Sequence, residues 1–301
     1  MNTTQKKRTH RRSTTRRRHN NQASPLMLAA YSIGIVLGLL GLGYAGYATL
    51  DDPIADANGC YAEAPSREVI LAIDASEPRW NAEQQRALQR FVSQVYTDLG
   101  FNERLSVYTT EGDAYAALLS PQVQVCGTAK DPRDLAAIGV SAPSVGYLRK
   151  EAQRLFEKVL APELAAILAI EAEPSRTQRN QSPILEMLQS LSRMPSFNQA
   201  SRLIVASDFL QNSDTARFCV VQNDMPRFDV FKERRNYQRV RPESFEGIDV
   251  DFLMLQRAGY GGAYLPHCRD EEELQDFFRD YAEHNGARST RLTRLRHGFG
   301  G

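Results

Sequence analysis

The run from Leu26 to Leu50 contains no charged residue, and this constrains the chain more than any other feature. A helix rises about 1.5 Å per residue, so a run of this length crosses a hydrocarbon core of roughly 30 Å. A core helix of a soluble protein rarely extends so far without one charge. The flanks set its direction. Lys6, Lys7, Arg8, Arg11, Arg12, Arg16, Arg17 and Arg18 precede it with no acid among residues 1–20, while Asp51 and Asp52 follow it. The positive-inside rule then predicts a cytoplasmic N-terminus. A cleaved signal peptide has a shorter apolar region, about 7–15 residues, although Ala45, Gly46 and Ala48 supply small residues near the end of this one. The expectation is an uncleaved, single-pass anchor in a bacterial-type inner membrane. Residues 1–25 form a basic cytoplasmic tail, 26–50 the transmembrane helix and 51–66 a linker. Residues 67–285 form a domain in the periplasm or outside the cell, and 286–301 a flexible basic tail.

The formal net charge of +1 conceals this division. Once the eight cations of the first twenty residues are set aside, acids outnumber bases by seven in the remainder. The basic tail suits anionic lipid headgroups. It has no interleaved aromatic residue to stack on bases, so nucleic acid is not expected. Within the apolar run, Ala30, Gly34, Gly38 and Gly41 share one helical face, and Gly34-x-x-x-Gly38 lets a second helix approach closely, as in a homodimer. The plainer reading is the general frequency of glycine in membrane helices.

Cys60, Cys126, Cys219 and Cys268 all lie beyond the apolar run, and none forms a C-x-x-C pair, which argues against a zinc site or redox motif. An even number of cysteines in an exported domain implies two disulfides. Four free buried thiols are the alternative.

The domain itself alternates strand and helix. Glu68-Val-Ile-Leu-Ala-Ile-Asp74 is a continuous apolar run of the kind found in buried parallel strands. A helix over 81–99 follows, then strands at 105–109 and 122–126, helices at 145–172 and 183–192, strands at 201–207 and 250–255, and a helix at 270–285. The link between the second and third strands is too short for a crossover helix, so the third strand is expected to return antiparallel. The fold class is α/β: a Rossmann-like, mostly parallel sheet with helices on both faces. A reversed third strand brings Cys126 to the edge where the chain enters near Cys60, while Cys219 and Cys268 both follow strands ending at the opposite edge. Topology thus favours Cys60–Cys126 and Cys219–Cys268 among the three pairings.

Ligands of such sheets gather at the carboxyl ends of the strands, where Asp74-x-Ser76, Ser182 and Asp208 are expected. This set resembles the metal-ion-dependent adhesion site of von Willebrand factor A domains, in which a D-x-S-x-S run leaves the first strand, a Thr follows in a later loop and an Asp ends a later strand. The resemblance spans roughly residues 66–285. It implies Mg²⁺ or Mn²⁺ held by Asp74, Ser76, Ser182 and Asp208, with a partner carboxylate completing the shell. The pattern departs from the family at Pro78, which offers no side-chain oxygen, at Ser182, where Thr is commoner, and in the long gap from Ser76 to Ser182. Glu77 adds a carboxylate beside the site. Local capping explains the same residues: Ser76 and Ser182 are each placed to cap a helix, and Asp208 to close a turn.

The function expected is a binding or scaffold module engaging another envelope or membrane protein. A metal-dependent hydrolase using Asp74 and Asp208 is the alternative, as is a structural domain that no longer binds metal. Against an enzyme, His267 and His284 are the only histidines in the domain and lack metal-ligand spacing. No G-x-S-x-G elbow or phosphate-binding loop occurs. Arg234, Arg235, Arg239 and Arg241, around Tyr237, read as a solvated basic loop, with a docking patch as the alternative.

Overall fold

The computed structural model describes residues 25–48, 53–62, 67–74, 80–110, 120–141, 143–169, 182–219, 225–256 and 271–295. The chain divides into two units, one ending at Asp52 and the other beginning at Pro53. In the first, the helix α1 (Pro25–Ala48) runs for 24 residues, with proline at its start, where a missing N–H is harmless. Its described apolar side chains, such as Ile33, Leu37 and Leu40, are exposed. A Cβ added at Gly34, Gly38 or Gly41 would meet nothing within 4 Å. Side-chain positions are described without interruption only from Ala29 to Tyr44, and among the described residues no helix is long and apolar enough to cross a membrane. The basic residues 1–20 lie outside the described residues, as do Thr49 and Leu50 of the expected span.

The second unit is built on a six-stranded sheet in the order β3-β2-β1-β4-β5-β6. Its strands are β1 (Glu68–Asp74), β2 (Arg104–Thr110), β3 (Val123–Cys126), β4 (Ala200–Ser207), β5 (Asp249–Leu255) and β6 (Ser289–Leu295). Only β3 runs antiparallel, against β2, as its short connection requires. The other neighbours are parallel. Along β1 the side chains divide by the two-residue period of a strand. Val69, Leu71 and Ile73 pack with Leu88, Val92 and Val95 of α2 (Ala82–Asp98) on one face. Ile70 and Ala72 join Leu185 and Leu188 of α6 (Ile184–Ser192) on the other. Two buried layers explain why these strands read as unbroken apolar runs.

Between β1 and β6 the remaining helices are α3 (Pro132–Ala136), α4 (Val145–Leu155), α5 (Ala161–Ala169), α7 (Phe228–Phe231), α8 (Arg235–Val240) and α9 (Glu271–His284). A π-helical turn, Phe156–Leu160, joins α4 to α5, so the long expected helix is present to Ala169, and its last residues fall outside the description. α2 begins at a capping box: the Asn81 side chain accepts from Gln84 N–H at 2.8 Å, and Gln84 Oε1 accepts from Asn81 N–H at 3.2 Å.

Two expectations need correction. The C-terminal basic segment is not a flexible tail over its described part; Ser289–Leu295 forms β6, in parallel register with β5. Its arginines face acids on neighbouring elements: Arg288 with Asp249, Arg291 with Asp251 at 2.9 Å and Arg294 with Glu271 at 3.1 Å. The segment 234–241 is not a loop but the helix α8 and its cap. Tyr237 is buried there and donates its hydroxyl to Asn285 at 3.0 Å, while the four arginines stay exposed. The linker is pinned at its distal part, by the cysteine pairing that the topology favours. Cys60 and Cys126 form a disulfide, and Tyr61 exchanges two hydrogen bonds with the Asn102 side chain, of 2.8 and 2.9 Å.

Candidate metal centre

In this strand order the direction of winding reverses between β1 and β4, which is where doubly wound sheets open a crevice at their carboxyl ends. Asp74, the last residue of β1, lies there, as do Ser207, the last of β4, and Asp208, the next residue. Asp74 and Asp208 are 6% and 3% exposed. The Ser182 and Ser207 hydroxyls both donate to Asp74 Oδ2, each at 2.8 Å. Residues 108 and 133 positions from Asp74 in the chain thus meet on one carboxylate oxygen.

Local structure explains the convergence. Ser182 does not cap α6; Pro183 holds the N-cap position with no side-chain cap. Ser182 instead forms an antiparallel bridge with Asn212, through N–H to O contacts of 2.8 and 2.9 Å in each direction. The free N–H of Leu185 is taken by Gln211 Oε1 at 2.8 Å, so a distant side chain supplies the cap. After β4 the chain turns sharply. Ser207 Oγ accepts from Phe209 N–H and Asp208 Oδ1 from Leu210 N–H, both at 2.9 Å. The turn-closing role considered for Asp208 is therefore present. Phe209 is held at φ 61°, in the left-handed region, while its ring is fully buried against Phe252 and Phe278. A bulky residue at positive φ is strained and persists only where its surroundings over-determine it.

Of the four expected ligands, Ser182 meets Asp74 directly, and Asp208 follows β4 at the same end of the sheet with its Oδ1 turned to Leu210 N–H. Ser76 lies outside the described residues, as do Glu77 and Pro78. Among the described residues no three or more His, Cys, Asp or Glu side chains gather as a metal-binding group. The donors at this edge are hydroxyls and two carboxylates, hard oxygen ligands of the kind Mg²⁺ and Mn²⁺ take. Their chemistry fits such an ion. His284 packs its ring against Phe228 at 5.3 Å, within the aromatic cluster of α7 to α9. Cys219 is disulfide-bonded; Cys268, its expected partner, lies outside the described residues.

Ser207, Glu186 and Gln211 are not among the residues that the sequence motif points to. Ser207 carried one available signal, a hydroxyl at a strand end beside Asp208. Glu186 carried another, an acid within the apolar run Ile184-Leu-Glu-Met-Leu188, since a buried acid needs partners. Gln211 carried none.

The chain matches no protein-family model and no curated protein. Among solved structures, it is similar to an aerotolerance-related membrane protein from Bacteroides fragilis NCTC 9343, crystallised with multiple mutations to serines. The two are 12% identical with a TM-score of 0.33, over 75% of this chain and 90% of the other. A likeness this distant carries no conclusion about function.

Proposed function

We propose that this chain is a membrane-anchored binding or scaffold protein of the von Willebrand factor A type, single-pass with a cytoplasmic N-terminus. In this reading its domain stands in the periplasm or outside the cell and engages another envelope protein. The contact runs through Mg²⁺ or Mn²⁺ at Asp74, Ser76, Ser182 and Asp208, with Ser207 added to the set. One observation carries the site: two serine hydroxyls, one ahead of α6 and one at the end of β4, converge on one oxygen of a buried carboxylate at the switch point of the sheet. The anchor rests on the 24-residue helix α1, on the uncharged run around it and on the cations before it. A bound dication would supply an open coordination position for a partner's carboxylate.

A structural reading without metal has its own support. The two hydroxyls already give Asp74 the hydrogen bonds that a buried carboxylate requires. Thermal unfolding of the full chain in detergent separates the two readings. Added Mg²⁺ or Mn²⁺ is expected to raise the Tm of the wild type and to leave Asp74→Ala and Asp208→Ala unmoved. An unmoved wild type leaves the structural reading.

A further inference from the structure

Glu186 is a buried acid to which the proposed site assigns no role. It sits in the first turn of α6, 5% exposed, and among the described residues no Lys, Arg or His pairs with it. Its two oxygens are taken by one polar unit. Gln211 Nε2 donates to Glu186 Oε2 at 2.9 Å, and Ser213 Oγ donates to Glu186 Oε1 at 2.6 Å. Gln211, fully buried, uses its other end to accept the Leu185 N–H. Its Nε2 also donates to Ser213 Oγ at 2.9 Å. The start of α6 and the loop after β4 are thereby closed on each other at Leu185, Glu186, Gln211 and Ser213, beside the Ser182–Asn212 bridge. The two hydroxyls on Asp74 come from these same two segments, Ser182 before α6 and Ser207 at the head of the loop.

We propose that Glu186 and Gln211 are positioning residues of the candidate metal centre: their buried carboxylate–amide clasp sets the spacing of Ser182 and Ser207 about Asp74. A buried carboxylate without a cation needs good hydrogen bonds and a favourable field, and the N-terminus of α6 adds the latter. Such groups hold one geometry because any other leaves a charge unsatisfied. The inference rests on the reading of Asp74 as a cation site, but the clasp can be tested without it.

The test is an exchange of the two side chains. Gln211→Glu alone sets two buried carboxylates against each other and removes the amide donor. Adding Glu186→Gln restores the contact between the two positions with its hydrogen bond reversed, since the carboxylate now at position 211 would accept from both Leu185 N–H and the amide now at position 186, while the donation from position 211 to Ser213 Oγ stays lost. In the full chain, Gln211→Glu is expected to weaken Mn²⁺ binding about tenfold or more, the effect of one unsatisfied buried group. It should also speed amide exchange at Leu185 and Asn212, and the double exchange should recover both in part, short of the wild type by the lost donation to Ser213 Oγ. Should Gln211→Glu fail to fold, Gln211→Asn, which is too short to span the two partners, takes its place. If the wild type binds no Mn²⁺, the metal reading falls, and amide exchange alone decides the clasp. Unchanged exchange in the single variant, or no recovery in the double, overturns the proposal.

Discussion

Asp74 concentrates the consequences of this arrangement at the scale of single residues. Its Oδ2 holds two hydroxyl donors, and Ser207 has the larger share because its oxygen also accepts the Phe209 N–H that closes the turn after β4. Removing a partner from a buried acceptor costs about 1–3 kcal/mol. Ser207→Ala is expected at the upper end of that range and Ser182→Ala at the lower, read from denaturant unfolding of the full chain. Equal losses would mean that the turn contact contributes nothing. Asp74 and Asp208 were legible in the sequence because polar residues next to buried apolar strands fall at sheet edges whatever the details, whereas Ser182, ahead of α6, stood out only through the adhesion-site resemblance. Ser207, Glu186 and Gln211 were not legible. Their roles come from partners 133 and 25 positions away, and no local pattern encodes a contact across that distance.

At the scale of elements, β6 holds the edge of the sheet through charge more than through burial. Arg288 and Ser289 hydrogen-bond Asp249 and, against a smaller effect of burial, hold its carboxyl down at about 2. A carboxylate with a depressed pKa stabilises the fold above its unfolded value and loses that contribution as pH falls through the folded one. The contribution of Asp249 should therefore fade between about 3.8 and about 2. Amide exchange in β6 is expected to rise across that window, and Arg288→Ala should move the rise to higher pH. An identical profile in the variant would contradict the assignment. The same charges hid the strand. In Ser289-Thr-Arg-Leu-Thr-Arg-Leu295 the arginines suggested a solvated tail, yet cations are what an edge strand carries to discourage further pairing. The apolar strands β1, β4 and β5 left no such ambiguity. α8 was missed for a related reason: six residues are too few to display a period, and only Tyr237 and Val240 are buried among its exposed arginines.

For the molecule as a whole, the cysteines bear on the compartment. The Cys60–Cys126 disulfide closes a sequence separation of 66 and ties the end of the linker to the edge strand β3. Such a bond persists in an oxidising compartment, in keeping with the proposed export of the domain. Replacing both cysteines by serine should lower stability by roughly 2–5 kcal/mol. Mapping of unreduced peptides from membranes should recover the Cys60–Cys126 link; free thiols at both positions would place the domain on the reducing side. The central claim remains the cation at the β1–β4 crevice, and Mn²⁺ titration of the full chain followed by electron paramagnetic resonance tests it most directly. The predicted result is one saturable Mn²⁺ per chain, displaced by Mg²⁺ and lost in Asp74→Ala; no bound Mn²⁺, or binding that survives that substitution, would contradict it.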